Sequence, residues 1–82
     1  MSSDNPEFEE ALVAAIPHLR AFARSFTSET SRADDLVQET LVKAWHSRDS
    51  FSPGTNFRAW LFTILRNVFI SLNRKQKREV SD

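Results

Sequence analysis

The residues with the most chemistry per position lie in NFRAWLFTILRN, residues 56–67. Asn67, Arg66, Thr63 and Trp60 sit three and four apart on a helical repeat, on the side away from the apolar positions. Asparagine makes paired hydrogen bonds to adenine, and arginine is suited to phosphate or guanine. A tryptophan at the edge of a basic surface stacks on an unpaired base, worth about 1–3 kcal/mol per base. The plainer alternative is an ordinary amphipathic helix with a basic outer face, and spacing alone does not separate the two. A second set, Asp35, Gln38 and Glu39, shares one helical face, with His46 further along. A metal or carboxylate site needs ligands converging from several elements, and none is evident. What stays open is a solvated polar face, or a protein-docking face with Val42 and Trp45 as apolar neighbours. His18, after Pro17, reads as a surface residue. There is no nucleophile–base–orienter set and no phosphate-cradling glycine loop.

Three helices must position these groups. The first is expected over residues 6–27, with Asn5 as N-cap and Pro6 in the first turn. Phe8, Leu12, Ile16 (or Ala15), Leu19, Phe22 (or Ala23) and Phe26 form its apolar stripe. Pro17 removes a backbone donor and clashes with the Val13 carbonyl, which predicts a kink or a split. The second helix is expected over residues 32–48, opened by Ser31 with Asp34 in a capping-box arrangement. Its core stripe is Leu36, Val37, Thr40, Leu41 and Ala44, bordered by Trp45. Ser52-Pro53-Gly54 is turn chemistry. Thr55 is the expected N-cap of a third helix over residues 56–77. Phe57, Leu61, Ile64, Leu65, Val68 and Leu72 cluster on one arc of that helix, flanked by Phe62 and Phe69. The opposite arc holds Thr63, Arg66, Asn67, Ile70 and Arg74, with Trp60 at the edge.

Composition sets the bounds. The chain has 82 residues, enough for one small domain with one modest core. One glycine and no tyrosine leave too little turn punctuation for a β-protein, so the expected fold is an all-α bundle of three main helices. No cysteine is present, which excludes a disulfide-stapled scaffold. No apolar run nears the roughly 20 residues that span a membrane, and the acidic start is unlike a signal peptide, so a cytoplasmic location is expected. The zero net charge hides a gradient. Residues 1–40 carry eight acids against three arginines, whereas Arg58, Arg66, Arg74, Lys75, Lys77 and Arg78 face no acid over residues 57–78. Such asymmetry points to a partner rather than to a fold.

DDLVQETLVKAW, then FSPGTNFRAWLFTILRN, then a basic tail, strongly resembles the second conserved region of bacterial extracytoplasmic-function sigma factors. IPHLRAFARS and PGTNFRAWLFTILRN are most similar to the subgroup that runs a general stress response. The order and spacing of the segments make the match specific. The resemblance implies a transcription initiation factor domain with no cofactor and no catalysis. The face formed by Asp35, Gln38, Glu39 and Val42 would dock on the β′ coiled coil of the RNA polymerase core. The loop at residues 51–56, through Phe51, Ser52, Gly54, Thr55 and Asn56, would capture a flipped-out base of the promoter −10 element on the non-template strand. The third helix would read and open the duplex, with Asn67 contacting a base and Trp60, Thr63, Arg66 and Arg74 nearby. An anti-sigma factor would compete for the domain.

The expected organisation is a single region 2 domain, ordered over about residues 6–78, with residues 79–82 beginning a linker or a frayed tail. Family members carry a second helical domain for the −35 element after that linker. This sequence stops where the linker is expected, which fits one domain of a longer protein or a degenerate member. Alone, it is expected to hold DNA weakly, since only a handful of cations are present. The rival reading is a sigma-like decoy that binds an anti-sigma protein without touching DNA. Such a decoy has no use for a basic, Asn-bearing outer face.

Overall fold

The computed structural model describes residues 6–80, with side-chain environments up to Arg74. Three helices follow in order: α1, Pro6–Arg24; α2, Thr30–His46; and α3, Phe57–Val80. A short 3-10 turn, Arg48–Ser50, precedes the loop to α3. No strand occurs among the described residues, so the all-α bundle is observed.

The core is one cluster built from all three helices. α1 gives Phe8, Leu12, Ala15, Leu19 and Ala23; α2 gives Ala33, Leu36, Val37 and Ala44; α3 gives Leu61, Leu65 and Val68. On α1 the small residues take the innermost places. Ala15 and Ala23 are buried, while Ile16 and Phe22 pack half-buried at the margin. Thr40 is fully buried, and its hydroxyl donates to the Leu36 carbonyl at 2.6 Å, so no polar atom is orphaned there. Ring pairs fix the order of packing along α1 and α3. Phe8 meets Phe57, Phe22 stacks on Phe62 at 4.3 Å, and Phe26 stacks on Phe69 at 4.7 Å. The two helices therefore run in the same general direction, and α2 returns between them.

Several expectations shift. α1 is not split: the helix continues through Pro17 without a break. Pro17 and Val13 are both exposed, so the place where the donor is missing lies on the side open to solvent and the core stripe is untouched. The helix stops at Arg24 rather than residue 27, with Ser25 and Phe26 turning back onto the Phe22 and Ala23 carbonyls. α2 starts at Thr30, two residues before the expected Arg32, with Glu29 rather than Ser31 in the cap position; the Glu29 side chain makes no capping hydrogen bond and pairs instead with Arg32 at 3.5 Å. It ends at His46, two residues before the expected Arg48. Leu72, expected in the core, is 41% exposed, because from Ile70 to Arg74 α3 runs past the packed bundle. α3 reaches Val80, three residues beyond the expected end. The Asn5 cap and residues 81–82 lie outside the described residues.

Candidate nucleic-acid interface and docking strip

The loop before α3 is built from its turn residues upward. The Ser52 carbonyl accepts from the Thr55 N–H at 3.2 Å and from the Thr55 hydroxyl at 2.7 Å. Pro53 and Gly54 are the two central residues, and Gly54 has φ +93°. That is a type II turn, which needs a positive φ at its third residue. A Cβ on Gly54 would meet nothing within 4 Å, so the demand for glycine is conformational and not steric. The helix cap falls one residue later than expected. Asn56, not Thr55, caps α3: its Oδ1 accepts from the Ala59 N–H at 3.1 Å. Thr55 is used instead to close the turn.

A platform of rings supports this loop. Phe51 packs edge-on against Phe57 with centroids 5.2 Å apart, and lies tilted on Trp60 at 5.2 Å. Trp60 also contacts Phe8 at 6.0 Å and Phe57 at 5.8 Å. Phe8 reaches Trp45 at 6.1 Å. Above the rings, Ser52, Pro53, Gly54, Thr55 and Asn56 are all exposed. Trp60 is therefore a half-buried wall of the loop mount, more enclosed than an edge position on the outer arc.

The remaining α3 candidates are exposed: Thr63, Arg66, Asn67 and Arg74. The Thr63 hydroxyl donates to the Ala59 carbonyl at 3.0 Å, which leaves it only as an acceptor toward solvent. Arg66 and Arg74 have no ion-pair partner among the described residues. The first turn of α3 carries no acid either, so the positive end of the helix dipole is not neutralised there.

On α2, Asp35, Gln38, Glu39 and Val42 are all exposed and follow one helical strip, with Val42 52% exposed. Glu39 forms an exposed ion pair with Lys43 at 3.9 Å. The strip and the α3 face meet. An open groove between α2 and α3 is lined by Glu39, Val42, Lys43 and His46 on one side and by Asn67 and Ser71 on the other. Sequence reasoning treated the two faces as separate and did not place Lys43 or Ser71 in either. The helical repeat of each helix orders its own faces, but only packing decides which flank of α3 lies against α2.

Arg48 was also missed. Its guanidinium lies 4.2 Å above the Trp45 ring and donates to the Trp45 carbonyl at 2.7 Å. It thereby closes the C-terminal end of α2 and anchors the turn leading to the loop. No group of three or more metal-ligating side chains exists among the described residues. No described helix is long and apolar enough to cross a membrane.

A three-helix domain with a ring-mounted turn, a third helix whose first turn carries no acid and an acidic strip on the second is the architecture of a sigma region. The sequence model of the Sigma-70 region 2 family matches residues 12–79, and the chain belongs to that family. Its relatives place it on the extracytoplasmic-function branch. The ECF RNA polymerase sigma factor EcfG of Rhodopseudomonas palustris (strain TIE-1) is 61% identical over 71 residues, covering 87% of this chain and 39% of that protein. The ECF RNA polymerase sigma factor SigM of Bacillus subtilis is 40% identical over 63 residues, covering 73% of this chain and 36% of that one. Among solved structures, the sigma factor RpoE in complex with the anti-sigma factor NepR from Bartonella quintana superposes with a TM-score of 0.89 at 54% identity. That likeness covers 95% of this chain and 49% of the RpoE chain. The chain thus spans half or less of the length of these relatives. The general-stress subgroup that its motifs resemble fits these neighbours.

Proposed function

We propose that this domain recognises and opens the promoter −10 element and docks on the RNA polymerase core, as the region 2 part of an alternative sigma factor. The observation that carries the reading is the ring-mounted turn. Five consecutive residues, 52–56, are exposed over a platform of Phe51, Phe57 and Trp60, beside a helix start without an acid. Extracting a base from a duplex costs a few kcal/mol in lost stacking and pairing. A pre-formed turn with outward backbone polar groups and aromatic walls offsets that cost without ordering itself first. Phe51, Ser52, Gly54, Thr55 and Asn56 hold the unpaired non-template base in this reading. Asn67, with Thr63 beside it, reads a neighbouring position, and Arg66 and Arg74 hold phosphates.

The exposed strip of Asp35, Gln38, Glu39 and Val42 docks on the β′ coiled coil, pairing its acids with basic residues around an apolar contact at Val42. An anti-sigma protein takes the same domain in competition; RpoE of Bartonella quintana is bound by NepR in its crystal structure, which supports this. The domain works by binding alone and catalyses nothing, in the cytoplasm where polymerase and promoter meet. The test is binding to single-stranded oligonucleotides in which each −10 position is varied in turn. A preference for one unpaired base at a fixed position supports the reading. Binding blind to sequence at every position, or no binding, overturns it and leaves the decoy.

A further inference from the structure

Arg48 lies outside the exposed turn and outside α3, yet it closes a circuit of contacts that ends at the turn. Its guanidinium sits 4.2 Å over the Trp45 ring and donates to the Trp45 carbonyl at 2.7 Å. Its own carbonyl accepts from the Phe51 N–H at 3.2 Å, beside the bond from the Ser50 N–H to the Ser47 carbonyl at 2.8 Å. The backbone of Phe51 thus hangs from Arg48, while the Phe51 ring packs on Trp60 at 5.2 Å. Phe8 of the core completes the circuit, with Trp45 at 6.1 Å and Trp60 at 6.0 Å. A planar guanidinium stacks on a ring face and donates in its own plane at the same time, which an ammonium does not. Arg66 and Arg74 are exposed, whereas Arg48 is half-buried with its head engaged at two points of Trp45. That is the placement of a clamp and not of a phosphate hook.

We propose that Arg48 is a positioning residue for base capture: it touches no DNA and fixes, through Phe51, the direction in which the turn at residues 52–56 leaves the domain. The proposal rests on the DNA reading of the turn and extends it. Phe51 is held at two points, by its backbone from the end of α2 and by its ring from α3. A residue pinned by its ring alone can pivot; one pinned at both points cannot. The 3-10 segment between Arg48 and Phe51 has the poorer hydrogen-bond geometry of its type, so it needs a side chain to hold it. Releasing the clamp makes the turn order itself at the moment of binding. That loss falls on selectivity for the captured base, since no charge facing the strand changes.

The experiment compares the wild type with Arg48→Ala and Arg48→Lys on single-stranded −10 oligonucleotides. These carry the selected base, a wrong base or an abasic site at the position that the turn reads, and each is titrated at several salt concentrations. Amide exchange at Ser50 and Phe51 is followed without DNA. Arg48→Ala should keep the helical circular dichroism spectrum, speed exchange at both amides and lower the preference for the selected base at least about threefold. Its affinity for the abasic oligonucleotide should stay within about twofold of the wild type, with an unchanged salt slope. Arg48→Lys should recover only part of both losses, because its ammonium covers the ring without the in-plane bond to the Trp45 carbonyl. Uniform weakening on every oligonucleotide, with a salt slope reduced by about one and full recovery in Arg48→Lys, would make Arg48 a phosphate contact and overturn the proposal. Lower stability with an intact base preference would reduce it to a structural cap, while the reading of the turn stands. If the wild type itself shows no base preference, both readings fall together.

Discussion

The ring of Phe51 lies 5.2 Å from the indole of Trp60, tilted by 52°, and that pair couples the loop to the helix behind it. Phe51 is the last residue before the exposed turn, and Trp60 stands on the first turn of α3. In the proposed function, a base held at residues 52–56 would press on a mount whose other contacts, Phe8 and Phe57, belong to the packed body of the domain. Rigidity of the turn is inherited from the core.

Removing that mount should separate folding from recognition. Phe51→Ala deletes two ring contacts, each worth about 0.5–1.5 kcal/mol beyond burial, from a half-buried position. The domain should remain helical, unfold at lower urea concentration and lose base preference at the position the turn reads. Phe51→Leu, which keeps apolar bulk, should restore stability more fully than recognition. Urea melts alongside oligonucleotide titrations check this.

Gly54 gives a cleaner test of conformation. At φ +93° any other residue is strained, by about 1–2 kcal/mol for an L side chain in the left-handed region, although there is open space for a Cβ. Gly54→Ala should change stability within that range and weaken capture of the unpaired base. Gly54→Asn, better tolerated at positive φ, should lie between alanine and the wild type. Equal binding by all three proteins would show that the turn geometry does not matter.

The docking strip should be separable from the core. Gln38 and Glu39 are exposed, and the Glu39–Lys43 pair at 3.9 Å is a surface pair worth about 0.2–1 kcal/mol at most. Gln38→Ala should alter stability by less than about 0.5 kcal/mol. Glu39→Lys replaces that pair with two lysines one helical turn apart, a further cost of about 0.2–0.5 kcal/mol. Both should weaken binding to the isolated β′ coiled coil, measured by calorimetry, and undiminished binding by both would remove the strip from that role.

Competition follows from the same geometry. Val42 of the strip and Asn67 of α3 line one groove, so a protein seated on Val42 changes the surroundings of Asn67. An anti-sigma protein on this domain should displace the β′ coiled coil. Simultaneous binding of both without mutual loss of affinity would contradict it.

Much of this was legible in the sequence because helical periodicity is a local signal. The stripes of α1 and α2, and Leu61, Leu65 and Val68 of α3, fall where the 3.6-residue repeat puts them. Ends were less legible. The stretch TSETS offers five residues of which four are good caps, and nothing local says that Thr30 already lies inside the helix. Pro17 is a breaker by type, yet its position on the solvent side lets the helix pass. Leu72 has the right phase but lies beyond the last partner, and phase carries no information on where the bundle ends. The candidate site was legible by type and not by neighbourhood. Arg48 over Trp45 and the shared groove at Asn67 each depend on which helix flanks which.

The most direct measurement compares three α3 variants, Asn67→Ala, Arg66→Ala and Arg74→Ala, on −10 oligonucleotides varied base by base and at several salt concentrations. All three side chains are exposed and none belongs to the core cluster, so the variants should keep their fold. Asn67→Ala should lose about 1–3 kcal/mol of discrimination at one position and little elsewhere. Each arginine variant should weaken binding to all sequences alike and reduce the salt slope by about one. If Asn67→Ala instead loses affinity uniformly, or not at all, α3 is an electrostatic surface and base readout at this residue is contradicted.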